Sequence, residues 1–218
     1  MRWHNAGVAI VRLLLKGGAS VNAVDAEQWT VLLLSLNHYA SVEVVETLLN
    51  GGASVDAELP GGWTALHVAT RQNASAEVVL MLMEAGADVN GRTDELWTPL
   101  HCATYYRSSA EVVQLLVRAG ASVNAATQEH FTPLRIAALR NATAEVVQVL
   151  QRAGGSSEAS GGSGGVFEWT PPRVATSAGG TSKASQTAVQ FGRRQSDAGG
   201  DPKGGRNNGT LTAKGASA

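Results

Sequence analysis

The chain has 218 residues, 17 Lys and Arg against 18 Asp and Glu, and one Cys, Cys102. A balance this close to neutral gives no basic surface for nucleic acid. A single Cys excludes an intramolecular disulfide and suits a reducing compartment, and no apolar run approaches the ~20 residues of a membrane span.

In chain order, Met1 to His4 align with Ser35 to His38 at a shift of 34. They read as the end of a first helix, so a truncated unit is expected over residues 1–28. Gly7 to Lys16 supply its second helix and Gly18 ends it. No small-residue cleavage site follows, so no signal peptide is expected. Ile10, Leu13 and Leu14 should stay partly uncovered, whereas arrays of stacked units need polar outer faces at their ends. The expectation is a fragment, or a partner that covers this end.

Three copies follow at 29–62, 63–96 and 97–130, and a closing copy at 131–154. Trp29, Trp63, Trp97 and Phe131 recur every 34 residues, each followed by Thr. T-A-L-H at Thr64 and T-P-L-H at Thr98 match T-P-L-R at Thr132 and T-V-L-L at Thr30. E-V-V recurs at Glu43, Glu77, Glu111 and Glu145. Gly recurs at Gly18, Gly52, Gly86, Gly120 and Gly154. A period of this length marks a unit that buries its apolar face only by stacking on copies of itself.

Each Thr is expected to start a short helix, with Pro99 and Pro133 in the first turn, where no N–H is needed. Ser41, Ser75, Ser109 and Thr143 are placed to cap the second helix, and the Glu after each favours the helix dipole. In the copy at 97–130, Val112, Val113, Leu115, Leu116 and Val117 form the apolar stripe. On that reading Leu115→Ala costs about 2–5 kcal/mol. Gly120 closes the helix in the left-handed conformation, and the chain then runs into a finger that reaches the next aromatic residue.

The combination of T-P-L-H-x-A, E-V-V-x-x-L-L, A-G-A and V-N resembles the ankyrin repeat. That family's period is about 33, and about 34 is the period of the tetratricopeptide repeat, whose Leu-Gly and Tyr signature is absent. The extra residue falls between T-P-L-H and E-V-V and lengthens the turn between the helices. The resemblance covers residues 1–154. It implies an all-α solenoid of stacked helix-turn-helix units with β-hairpin fingers. The expected function is a non-enzymatic interaction scaffold that binds a partner protein on its concave face. The alternative is a fragment of a larger adaptor or enzyme whose effector domain is missing.

The same resemblance places the variable groove positions at the finger tips and at the ends of the first helices. The candidate partner-binding residues are Trp29, Asn37 and His38; Trp63, Arg71 and Gln72; Asp94, Glu95, Trp97, Tyr105 and Tyr106; and Gln128, Glu129, Phe131 and Arg140. Tyr, Trp and Arg dominate binding hot spots, which makes Trp97, Tyr105, Tyr106 and Arg71 the richest set. The aromatic column has two readings of equal weight: internal packing, or one ring face shown to the groove. The turn Gly of the family survives only at Gly62. Gln28, Leu96 and His130 stand there elsewhere, so those tips are expected to be looser or differently shaped.

For chemistry the sequence offers little. The resemblance makes His67 and His101 structural braces, with Leu33 and Arg135 in their place in the other copies. No His pair has zinc-ligand spacing, and Cys102 reads as a small buried residue between helices. Asn22, Asn90 and Asn124 are turn residues on the plain reading and hydroxylation targets on the sharper one. No catalytic residue, metal or cofactor is expected. Residues 155–218 are rich in Gly, Ser, Ala and Thr and are expected to be a disordered tail. Within them, Val166-Phe167-Glu168-Trp169 is apolar enough to fold back or to dock, and Ser196 after Arg193-Arg194 is a candidate phosphosite. A monomer in the cytoplasm, with residence in the nucleus also allowed, completes the expectation.

Overall fold

The computed structural model describes residues 2–157, of which residues 2–6 by backbone alone. The candidate phosphosite Ser196, the 166–169 segment and the rest of the tail lie outside the described residues. The described helices are α1 (Arg2–Lys16), α2 (Val31–Asn37), α3 (Val42–Asn50), α4 (Ala65–Arg71), α5 (Ala76–Glu84), α6 (Pro99–Tyr105), α7 (Ala110–Arg118), α8 (Pro133–Leu139) and α9 (Ala144–Arg152). None of them is long and apolar enough to cross a membrane.

The short first helices form one layer, α2 on α4 on α6 on α8, and the longer second helices another, α1 on α3 on α5 on α7 on α9. Between the layers runs one continuous core. Leu32, Leu66, Leu100 and Leu134 enter it from the first helices, and Leu48, Leu82, Leu116 and Leu150 from the second. In α7 the deepest residues are Val112, Val113 and Leu116. Leu115 is only half-buried, so Leu116 takes over the cavity cost expected of Leu115.

The helix starts follow the hydroxyl columns. Thr30, Thr98 and Thr132 accept the N–H three residues on. Ser75, Ser109 and Thr143 do the same for α5, α7 and α9. Ser41 departs from the expectation: its backbone is extended as a cap requires, but its Oγ is buried without a hydrogen-bond partner. The helix ends share one closure. The Ala53 N–H donates to the Leu48 carbonyl at 3.0 Å, and Ala87, Ala121 and Gly155 repeat the bond onto Leu82, Leu116 and Leu150. It requires a left-handed residue in between, which Gly52, Gly86, Gly120 and Gly154 supply.

The first helices close in the same way through Tyr39, Asn73, Arg107 and Asn141, all at positive φ. This is where the extra residue of the 34-residue unit sits. Asn adopts that conformation readily, whereas Tyr39 and Arg107 hold it against the usual steric cost.

Three expectations are corrected here. Residues 2–16 form one continuous helix rather than the end of a first helix, a turn and a second helix. Gly7 stands where Ser41, Ser75, Ser109 and Thr143 stand elsewhere, so no side chain caps a start at residue 8, and the helix runs on toward the N-terminus. The fingers contain no strands among the described residues. Single antiparallel bridges join Val24 to Thr30 and Leu59 to Trp63, and each finger closes on one bond of the type Thr93 N–H to the Trp97 carbonyl, 2.9 Å. Nor do the finger tips differ in shape. Gln28, Leu96 and His130 all take the left-handed φ of Gly62, because the flanking closures onto Trp29, Trp97 and Phe131 fix the path.

Candidate interaction surface

Two columns tie one repeat to the next. The His67 Nε2 lies 3.0 Å from the Trp97 carbonyl, 30 residues on. A carbonyl only accepts, so Nε2 carries the proton, and Nδ1 accepts from the Thr64 N–H at 3.3 Å. His101 repeats this, with Nε2 at 3.0 Å from the Ala125 carbonyl and 3.1 Å from that of Phe131. Burial holds both imidazoles down at about 4, against carbonyl bonds that favour the proton. These histidines brace the stack and stay neutral.

The asparagines form the second column. Asn22 Nδ2 donates to the Gly52 carbonyl at 3.0 Å, and its Oδ1 accepts from the Ser54 N–H at 2.8 Å. Asn90 clamps Gly120 and Ser122, and Asn124 clamps Gly154 and Ser156, in the same geometry. Each Asn therefore reaches the closing turn one repeat further on. That is more than the local turn role expected of it, and the contact is too distant in sequence for a spacing argument to find. Asp56 fills the column in the remaining repeat and has no NH2 to donate.

The aromatic column resolves to one of its two readings. Trp29, Trp63 and Trp97 are each 1 % exposed, so they have no face to give a partner and leave the candidate set. Each ring is part of the continuous core. Trp63 packs edge-on to His67, and Trp97 meets both His101 and Tyr105, at 5.8 and 5.7 Å between centroids. Phe131 is buried as well, but its ring forms one wall of a recess.

What remains is a strip along the ends of the first helices. Asn37, Arg71 and Tyr105 occupy one register position and His38, Gln72 and Tyr106 the next, continued by Leu139 and Arg140. Side chains connect one repeat to the next along it. Gln72 Nε2 donates to Asn37 Oδ1 at 2.6 Å, and Arg140 Nε donates to the Tyr105 carbonyl at 3.4 Å. The Arg71 guanidinium lies over the Trp63 ring, close enough to Tyr106 for its charge to favour the phenolate. Tyr105 and Tyr106 meet at right angles, 4.9 Å apart, and Arg140 stacks 4.3 Å from the Tyr105 ring centre. Partial burial raises both tyrosine hydroxyls above their ordinary pKa.

The finger-tip candidates form a separate rim. Asp94, Gln128 and Glu129 are exposed and Glu95 is half-buried. Part of their hydrogen-bonding capacity joins the tips: Asp94 N–H donates to the Gly61 carbonyl, and Gln128 bonds the carbonyls of Asp94 and Glu95. Two residues outside the candidate set belong beside it. Leu139 is exposed at the strip's end, and Arg135 places its guanidinium 4.6 Å from the Phe131 ring. In the sequence Arg135 stands only where the bracing His is missing, and nothing local shows that the chain folds an aromatic ring beneath it.

Cys102 is fully buried, and burial pushes its thiol far above the usual range, as suits a packing residue. No group of three or more His, Cys, Asp or Glu among the described residues is arranged to hold a metal ion.

Comparison with known families agrees with the geometry. A model described as ankyrin repeats, three copies, matches residues 3–93, and a model of the single ankyrin repeat matches residues 95–128. No curated protein matches the chain.

Proposed function

The chain belongs to the ankyrin-repeat family, whose repeats are in general protein–protein interaction modules, and from that premise we propose a non-enzymatic scaffold that docks a partner protein on the strip of first-helix ends. The observation behind this is a contrast inside the chain. The scaffold columns of Thr, Leu and Gly repeat every 34 residues. The strip holds Asn37, Arg71, Tyr105 and Leu139 at one and the same position. Constant residues hold the stack; the varied ones face outward from it. Aromatic and guanidinium groups in contact with each other, part-buried and pre-positioned, are what hot spots are made of.

The test is a variant with Tyr105→Ala, Tyr106→Ala and Arg140→Ala together. Proteins retained from cell extract by the unaltered chain should be lost, with helicity retained and the melting temperature lowered only by the loss of two part-buried rings. An identical retained set would remove the strip from consideration. Trp97 is left out because replacing a ring 1 % exposed would disturb the core and confuse the outcome.

A second reading is that the chain acts as part of a longer repeat array. The uncovered apolar side of α1 favours it, since Ile10, Leu13 and Leu14 are all more than half exposed. Fusing a first helix of the Thr64–Arg71 type ahead of α1 should raise the melting temperature by several degrees. No change would count against this reading.

A further inference from the structure

The recess between α6 and α8 is sized for one side chain. It encloses about 40 Å3, far below the ~300–1,000 Å3 of small-molecule sites. Tyr105, Phe131, Ile136 and Leu139 wall it, and Arg140 stands at its rim. Guanidiniums lie over both aromatic walls, Arg140 on Tyr105 and Arg135 on Phe131. Among the described residues, the partners of Arg140 are the ring and carbonyl of Tyr105, so no carboxylate neutralises it there. The fitting occupant is an apolar side chain next to an acid.

The chain carries that combination itself, in Val166-Phe167-Glu168-Trp169. Phe191, the remaining aromatic residue beyond Ser157, precedes Gly-Arg-Arg and has the wrong charge beside it. Reach also allows the contact. Thr132 Oγ1 donates to the Ser156 carbonyl where α8 begins. The recess lies toward the other end of α8, a helix of 7 residues, about 10 Å long. From Ser157 to Phe167 is 10 residues, which span up to ~33 Å. A tether this short gives an effective concentration on the order of mM, so a weak contact suffices.

We propose that Phe167 of the chain's own C-terminal part occupies this recess, with Glu168 paired to Arg140. The segment lies outside the described residues, and its sequence, reach and charge carry the assignment. The recess shares Tyr105 and Arg140 with the proposed docking strip, so self-occupation would compete with a partner there; the test reads the self-contact in the absence of any partner.

The test uses the full chain with Ser163→Cys carrying a nitroxide label, Cys102 being too buried to react. One sample has label and 15N on the same chain, diluted with unlabelled protein; a second has them on different chains. The amide of Leu139 should broaden in the first sample and not in the second, while those of α3 stay sharp. Phe167→Ala, and separately Arg140→Glu, should abolish the broadening. Three outcomes would overturn the proposal: no broadening, broadening only between chains, which would mean a second copy, or broadening that survives Phe167→Ala, which would mean tethering alone.

Discussion

The two ends of the stack carry the same helix in different company. In α9, Val146 and Leu150 are buried against α8, and Leu150 is 0 % exposed. Their counterparts in α1, Ile10 and Leu14, stand 56 % and 58 % exposed. Yet α1 packs on α3 much as α7 packs on α9, and Val8 is buried there. Stacking on a neighbour therefore covers only part of a second helix. The rest of its apolar stripe is covered by the first helix of its own repeat, which α1 lacks. The complete pair is the unit that buries the core, as the one-dimensional logic of repeat proteins requires.

The comparison can be broken most forcefully in the core. Leu116→Ala should destabilise the chain by about 2–5 kcal/mol through the cavity it leaves. Leu14→Ala, in the same column three repeats earlier, should stay within about 0.5 kcal/mol. Urea unfolding of both measures the contrast directly, and equal losses would show that α1 is covered after all.

Acid should separate complete repeats from the incomplete one next. His67 and His101 belong to complete repeats and are held at about 4, against 6.5 when exposed. The unfolded chain binds more protons in that window, so stability is full above about pH 6.5, falls as pH drops toward 4 and levels off below it. By pH 5 the loss is about 2 kcal/mol for each histidine. Replacing both by Leu, the residue Leu33 already places in that column, should flatten the profile.

A smaller effect is expected at the clamp. Asp56→Asn restores an amide to the column of Asn22, Asn90 and Asn124, and should stabilise the chain by about 1 kcal/mol. A neutral result in thermal unfolding would mean that the joint to the next repeat is already satisfied. Smallest of all, Ile10→Lys with Leu14→Glu should leave the melting temperature nearly unchanged while lowering the binding of an apolar dye.

Much of this was legible in the sequence because it is local and periodic. The Thr and Ser hydroxyls, Pro99, Pro133 and the Gly column each act on their own turn, so spacing alone places them. The histidine brace followed from its motif. What the sequence hid depends on neighbours 30 or more residues away. The tryptophans are buried in the core that the stacked repeats share, which no window around Trp97 reveals. Leu96 and His130 take a glycine-like backbone because closures on both sides impose it. The continuity of α1 follows from a missing cap at Gly7, visible only when that residue is set against the Ser and Thr of the later copies. The proposed strip draws Tyr105, Tyr106, Arg71 and Arg140 from the expected residues. It lost the aromatic column for the same nonlocal reason.

Amide hydrogen exchange across the five second helices of the full chain is the most direct measurement. If the helix pair is the unit of burial, α5 and α7 should exchange only through global unfolding, α9 nearly so, and α1 orders of magnitude faster than any of them. Protection of α1 equal to that of α9 would contradict the account, since a lone second helix would then be held by its neighbour alone.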